Sequence, residues 1–166
     1  MSTDLIKAIN DSSIAIHIRE SATLFPWIEG IHVLAITIVV GTIAIVDLRL
    51  LGFQAHRKNA EQLIKELLPF TWIMFVTAVA TGTLMFISNA STYWINTQFR
   101  IKLFMILLAG LNMAFFHLTA YRKIGDWAEA SSPPTLARVA GATSLSLWIL
   151  TIFFGRWIGF TLSPGG

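Results

Sequence analysis

The stretch Pro26–Phe53, PWIEGIHVLAITIVVGTIAIVDLRLLGF, decides the fold. It is apolar almost throughout and longer than the ~20 residues an α-helix needs to cross the hydrocarbon of a bilayer, which leaves room for tilt or a projecting end. Proline near its start suits the first helical position, because the N–H it lacks has no intrahelical partner to lose. Three more apolar runs follow, at about 69–89, 99–121 and 136–160. Lipid offers no partner for an unpaired backbone amide, so spans of this kind must be helices. The chain is therefore expected to be all-α, a four-helix transmembrane bundle over residues 1–166 as one integral membrane domain.

Composition points the same way. Hydrophobic residues make up 55% and charged residues 13%, with a mean hydropathy of +0.68, against roughly a quarter charged in an ordinary soluble domain. The absence of cysteine excludes disulfides, iron–sulfur ligation and covalent c-type haem attachment. The sequence pI of about 9.6 is no nucleic-acid signature, since the basic residues sit in short segments between spans. No internal repeat is evident.

Outside the spans, residues of about 4–22 place Leu5, Ile6, Ile9, Ile14, Ile16 and Ile18 among Lys7, Asp11, Arg19 and Glu20. That pattern predicts an N-terminal amphipathic helix lying in the interface, and it lacks the layout of a cleaved signal peptide. Ser131-Ser132-Pro133-Pro134 reads as the turn before the fourth span. Arg49, Arg57, Lys58, Lys65, Arg122, Lys123 and Arg138 fall on one side, and Lys7, Arg19, Arg100, Lys102 and Arg156 on the other. This mild bias predicts both termini outside, periplasmic for a bacterial inner-membrane protein. Trp27, Trp94 and Trp157 would mark the outer interface, Trp72 and Trp127 the inner one.

Histidine is the chemically informative residue. An ionisable side chain at membrane depth is a functional-site candidate, whose ordinary alternative is a hydrogen bond to a neighbouring helix. His32 is expected roughly 7 Å inside the outer boundary and His117 roughly 6 Å from the inner one. The offset of roughly 15 Å predicts two separate sites, or one site and one structural histidine. At the level of His32 lie Glu29, one turn earlier, with Arg156, Met85, Arg100 and Lys102. Near His117 come Asp47, Arg49, Met74 and Tyr121, with Asn112 and Met113 between the levels. Lys102, Met105, Ala109, Met113 and His117 approximate one stripe of the third span, with Ala109 and Gly110 small enough for a flat cofactor to approach the backbone. Glu29 with Arg156 and Asp47 with Arg49 read equally as structural ion pairs or boundary anchors. The methionines read first as packing, and Ala78 with Gly82 as a small-residue pair for close helix contact. His17 and His56, outside the apolar cores, read as solvated surface residues.

Glu29-Gly30-Ile31-His32, Val46-Asp47-Leu48-Arg49-Leu50-Leu51-Gly52, Leu68-Pro69-Phe70-Thr71-Trp72, Phe99-Arg100-Ile101-Lys102, Asn112 with His117, and Gly155-Arg156-Trp157 resemble an uncharacterised bacterial family of small four-span membrane proteins. The resemblance runs from about Ile18 to Phe160. Its layout is similar to a broader group that contains transmembrane b-type cytochromes and CopD-type copper-resistance proteins, which implies helix-borne histidines binding haem or metal. The paired histidines of a two-haem bis-histidine cytochrome are missing.

The functional expectation is a membrane-embedded haem b protein that passes electrons to or from quinone or a redox partner, an electron-transfer component more than a stand-alone enzyme. His32 and His117 are the expected iron ligands, Arg156, Arg100 and Lys102 propionate partners, and Glu29 and Asn112 further binding residues. The alternative is copper handling, in which Met85 and Met74 join the histidines. A cofactor-free accessory subunit is the third reading. A homo-oligomer, or a place as a subunit of a larger complex, is compatible with each.

Overall fold

The computed structural model describes residues 2–53, 59–128 and 133–161. In chain order these form α1 (Ser2–Asn10), α2 (Ser13–Glu20), α3 (Leu24–Leu50), α4 (Ala60–Ser88), α5 (Ala90–Ile95), α6 (Thr97–Leu118), a 3₁₀ turn (Tyr121–Lys123), α7 (Ile124–Trp127) and α8 (Thr135–Thr161). No strand occurs among the described residues. Helices α3, α4, α6 and α8 are long and apolar enough to cross a membrane.

Local chemistry sets the helix ends. Ser21 Oγ accepts from Leu24 N–H at the start of α3, Asn59 caps α4 by accepting from Gln62 N–H at 2.8 Å, and Asn96 caps α6 by accepting from Phe99 N–H at 2.9 Å. At the far end of α3, Gly52 adopts φ +98°, and Phe53 N–H bonds Leu48 C=O while Gly52 N–H bonds Arg49 C=O. That is a Schellman stop, and its left-handed residue favours glycine.

Several boundaries differ from the sequence expectation. α4 begins at Ala60, so Pro69 lies inside the helix instead of opening it. Hydropathy marks only the membrane-crossing portion, whereas Glu61, Gln62, Lys65 and Glu66 are good helix formers behind a strong cap. Pro26 is the third residue of α3, still within the first turn where its missing N–H is harmless. The single interfacial helix expected over 4–22 is two, α1 and α2. The break falls at Ser12, whose hydroxyl bonds back to Ile9 C=O and accepts from Ala15 N–H. His56, Arg57, Lys58, Ser131 and Ser132 lie outside the described residues.

The long helices run alternately up and down. α3 packs along α4 and α6 along α8, and a contact between α3 and α8 joins the two pairs. Many of the buried positions are small: Ala35, Ala78, Ala109, Ala137, Ala140 and Gly141 lie between helices. Gly141 marks a close helix crossing, where an added Cβ would lie 3.0 Å from Leu50 Cβ and 3.1 Å from Asp47 O. What is exposed is large and apolar, including Leu34, Phe70, Ile73, Leu107, Leu111 and Phe153. A soluble bundle shows the reverse pattern; one solvated by lipid tails, where small residues permit close backbone approach, shows this one. The chain is a multi-pass membrane protein.

Each end of the bundle has its own closure. At the termini end, α2 lies against α4, and Arg19 Nη1 donates to Ser88 C=O at 2.7 Å, satisfying a carbonyl at the C-terminus of α4. At the opposite end, the 3₁₀ turn and α7 fold beneath the helices. There Leu50, Ile64, Phe116, Ile124 and Trp127 form an apolar cluster. Trp127, expected at the interface, is buried in it and donates from Nε1 to Ala120 C=O at 3.0 Å. Trp27, Trp72, Trp94 and Trp157 are exposed.

Candidate functional site

His32 and His117 occupy different levels and do not converge. His32 sits in the first third of α3, toward the termini end, and His117 in the last turn of α6 at the opposite end. Between them Ala35, Val39 and Ala78 are buried.

His32 is half-buried against α4. Its Nδ1 lies 2.9 Å from Thr81 Oγ1. The Thr81 hydroxyl gives its one proton to Thr77 C=O at 2.7 Å, so its oxygen accepts from Nδ1–H. The Nδ1–H tautomer matches this contact and makes Nε2 the acceptor nitrogen of the ring. The ring lies against Gly82, where an added Cβ would come within 2.9 Å of His32 Cε1. Gly82 is thus the space the imidazole occupies, and the expected role of the Ala78–Gly82 pair in close helix contact takes a specific form here. Lys102 of α6 is half-buried: its stem runs past Gly155 of α8, and its ammonium lies 5.1 Å from the centre of the Phe99 ring. The charges of Lys102 and Glu29 both act on the His32 ring. Arg100, Arg156 and Glu29 are exposed on the same end of the bundle, and Met85 is half-buried. The expected association of Glu29 with Arg156 is absent: among the described residues no ion pair joins them, because both side chains point outward.

His117 presents the same arrangement by other means. Nδ1–H donates to Met113 C=O at 2.9 Å, one turn earlier on α6, again leaving Nε2 as the acceptor. Its ring lies 5.0 Å from that of Tyr121. Beside it, a cavity of about 150 Å³ opens among α3, α4, α6 and α8. Trp72, Phe75, Phe116 and Trp148 supply aromatic wall, and Asp47, Asn112, Ser144 and His117 the polar points. Asn112 Nδ2 donates to Ala140 C=O at 3.0 Å, tying α6 to α8, and Thr71 Oγ1 donates to Thr42 Oγ1 at 2.8 Å, tying α4 to α3. Asp47 is only 4% exposed and lines this cavity together with Ser144, yet its Oδ2 has no partner. Arg49 does not supply one. Two residues apart on a helix, the side chains diverge, and Arg49 Nε and Nη1 are buried without partners of their own.

Of the expected site residues, the structure brings His117 and Asn112 to one cavity and sets His32 and Lys102 within electrostatic reach of one another. Met74 and Met85 do not line the cavity, and Lys102 and Met105 leave the stripe that Ala109, Met113 and His117 keep. No group of three or more His, Asp or Glu side chains gathers as a metal site among the described residues. Sequence reasoning missed Thr81, Ser144 and Trp148. The only signal for the first two was a hydroxyl in an apolar span, which elsewhere in this bundle bonds its own helix, as Thr77 and Ser146 do.

With fold and site in view, the chain belongs to a family of unknown function, DUF6644, whose model matches residues 19–161, from the end of α2 to the end of α8. No curated protein and no solved structure matches it.

Proposed function

We propose that this protein is a membrane-embedded haem b protein that passes electrons to or from quinone or a redox partner, with the haem on His32. The observation that supports this is the setting of the His32 imidazole: Nδ1 lies on Thr81 and the ring is seated on Gly82, which makes Nε2 the candidate ligating nitrogen. An imidazole oriented through its far nitrogen is the usual condition of a ligating histidine. The donor set around it suits haem, since Lys102, Arg100 and Arg156 are cations for propionate groups. The cavity beside His117 does not suit it: about 150 Å³ is well short of the roughly 300–1,000 Å³ of cofactor sites. The reading is therefore one haem at the termini end, with His117 serving otherwise.

Bound there, haem would supply one-electron transfer. Thr81 would hold the ring orientation, Lys102 would offset propionate charge from its half-buried position, and the apolar helix faces would exclude water. The excess of basic residues at the opposite end supports a bacterial inner-membrane setting with both termini periplasmic. Such a chain works as an electron-transfer component, alone or as a subunit of a larger complex.

The test is the reduced-minus-oxidised absorption spectrum, with haem and metal content, of protein expressed with ample haem. A Soret band that His32→Ala abolishes and His117→Ala preserves supports the proposal. Absence of the band, or its survival in His32→Ala, overturns it. Copper in the same sample would favour the metal-handling reading, and a folded protein with neither would favour the accessory subunit.

A further inference from the structure

The cavity at the opposite end has an unmet chemical demand. Asp47 is more than nine-tenths buried and lines the cavity, and its Oδ2 lacks a donor. An unsatisfied carboxyl oxygen in such surroundings is costly unless something that enters the cavity satisfies it. His117 lines the same cavity, and because its Nδ1–H is engaged by Met113 C=O, its Nε2 is a second acceptor. Two acceptors call for a ligand with two donors. The remaining wall is apolar and aromatic, from Trp72, Phe75 and Trp148, and it lies among helices whose outer faces meet lipid.

We infer that this cavity binds the ring of a hydroquinone, a membrane-soluble quinol, with one phenolic hydroxyl donating to Asp47 Oδ2 and the other to His117 Nε2. Volume supports the choice: the cavity holds about 150 Å³, the size at which an apolar protein cavity takes one six-membered ring. The aromatic wall favours a flat ring. A single water would satisfy Asp47 but leave most of the space empty, and an aliphatic alcohol would satisfy one acceptor of the two. The Asn112 bond to Ala140 C=O holds α6 beside α8 on the cavity wall. The quinol is the quinone partner of the electron-transfer reading, but its binding needs no haem, so it is tested on protein that lacks the haem ligand.

The experiment is anaerobic equilibrium binding of methylhydroquinone to the full-length His32→Ala protein in lipid nanodiscs. 1,2,4-Trimethylbenzene, in which a methyl of similar size replaces each hydroxyl and both donors are lost, is the comparison. One site is expected, with binding at least tenfold weaker for the trimethyl ring and at least tenfold weaker in Asp47→Leu. That substitution removes the acceptor while filling its space, and a buried unpaired carboxyl is easily replaced by an apolar group. Ala109→Leu, which fills the cavity from α6, should abolish binding, and it decides between the outcomes if Asp47→Leu fails to fold. Equal affinity for the trimethyl ring, undiminished binding in either variant, or no binding by folded protein overturns the inference.

Discussion

Placing a methyl group on Gly82 tests the geometry at His32 directly. In Gly82→Ala the new Cβ would lie 2.9 Å from His32 Cε1 and 3.5 Å from Nδ1. Carbon atoms sit comfortably at about 3.5–4.0 Å, so the ring must retreat by roughly 0.6–1 Å. The ring is held to the same helix by the 2.9 Å contact to Thr81, and a retreat from α4 takes that pair to the limit of hydrogen-bonding range or beyond it. Leaving the imidazole N–H unmatched in apolar surroundings costs about 1–3 kcal/mol. Against this, exchanging glycine for alanine in a helix interior gains about 1 kcal/mol. The net expectation is a loss of up to about 2 kcal/mol. Gly110→Ala is the control, because nothing lies within 4 Å of a Cβ there, and it should gain up to about 1 kcal/mol. Gly155→Ala, whose Cβ would meet only the flexible Lys102 stem at an ordinary 3.5 Å, should likewise gain up to about 1 kcal/mol. Reversible unfolding in mixed detergent micelles, followed by circular dichroism and extrapolated to zero denaturant, measures all three. In the Gly82→Ala background, Thr81→Val should cost almost nothing further, because the bond it removes is already broken. If Gly82→Ala proves as stable as Gly110→Ala, the placement of the His32 ring against α4 is wrong.

Other consequences concern the same bond and the termini end. Thr81→Val removes the acceptor of the His32 Nδ1–H, and nitrogen-15 NMR should show the ring changing from a fixed tautomer to a mixture, while His117, anchored by a backbone carbonyl, stays unchanged. Arg19→Ala loses the bond to Ser88 C=O and a favourable charge at the end of α4, worth about 1 kcal/mol for so exposed a side chain. Hydrogen exchange should accelerate in α1 and α2 with little change in α6 and α8. Tyr93 on α5 is pushed above its ordinary value, first by burial and then by the charge of Glu29. A raised value means that the unfolded chain ionises first. Its contribution is intact below about pH 10 and is lost as the pH climbs toward the folded-state value. Tyr93→Phe should flatten that part of the alkaline stability curve, and an unaltered curve would show that Tyr93 contributes nothing to it.

Periodicity and hydropathy alone settle how many helices span the membrane, because lipid forces every buried amide into an intrahelical bond and leaves the apolar runs one solution. The different depths of His32 and His117 were legible for a related reason, since rise per residue is a local quantity. Helix ends were less legible. α4 begins nine residues before Pro69, and α1 and α2 part at Ser12, because caps and polar helix formers act where hydropathy is silent. Side-chain partnership belonged to the tertiary structure altogether. Glu29 with Arg156, and Asp47 with Arg49, looked like pairs from charge and depth, yet the first two point outward and the second two diverge on one helix. Thr81, Gly82 and Ser144 acquire their roles only once α3 meets α4 and α8, since the rotation of each helix about its axis follows from packing of small residues and not from its own composition. That rotation seats His32 on Gly82 and places Asp47, with its unpartnered oxygen, on the wall of a cavity that four separate helices line.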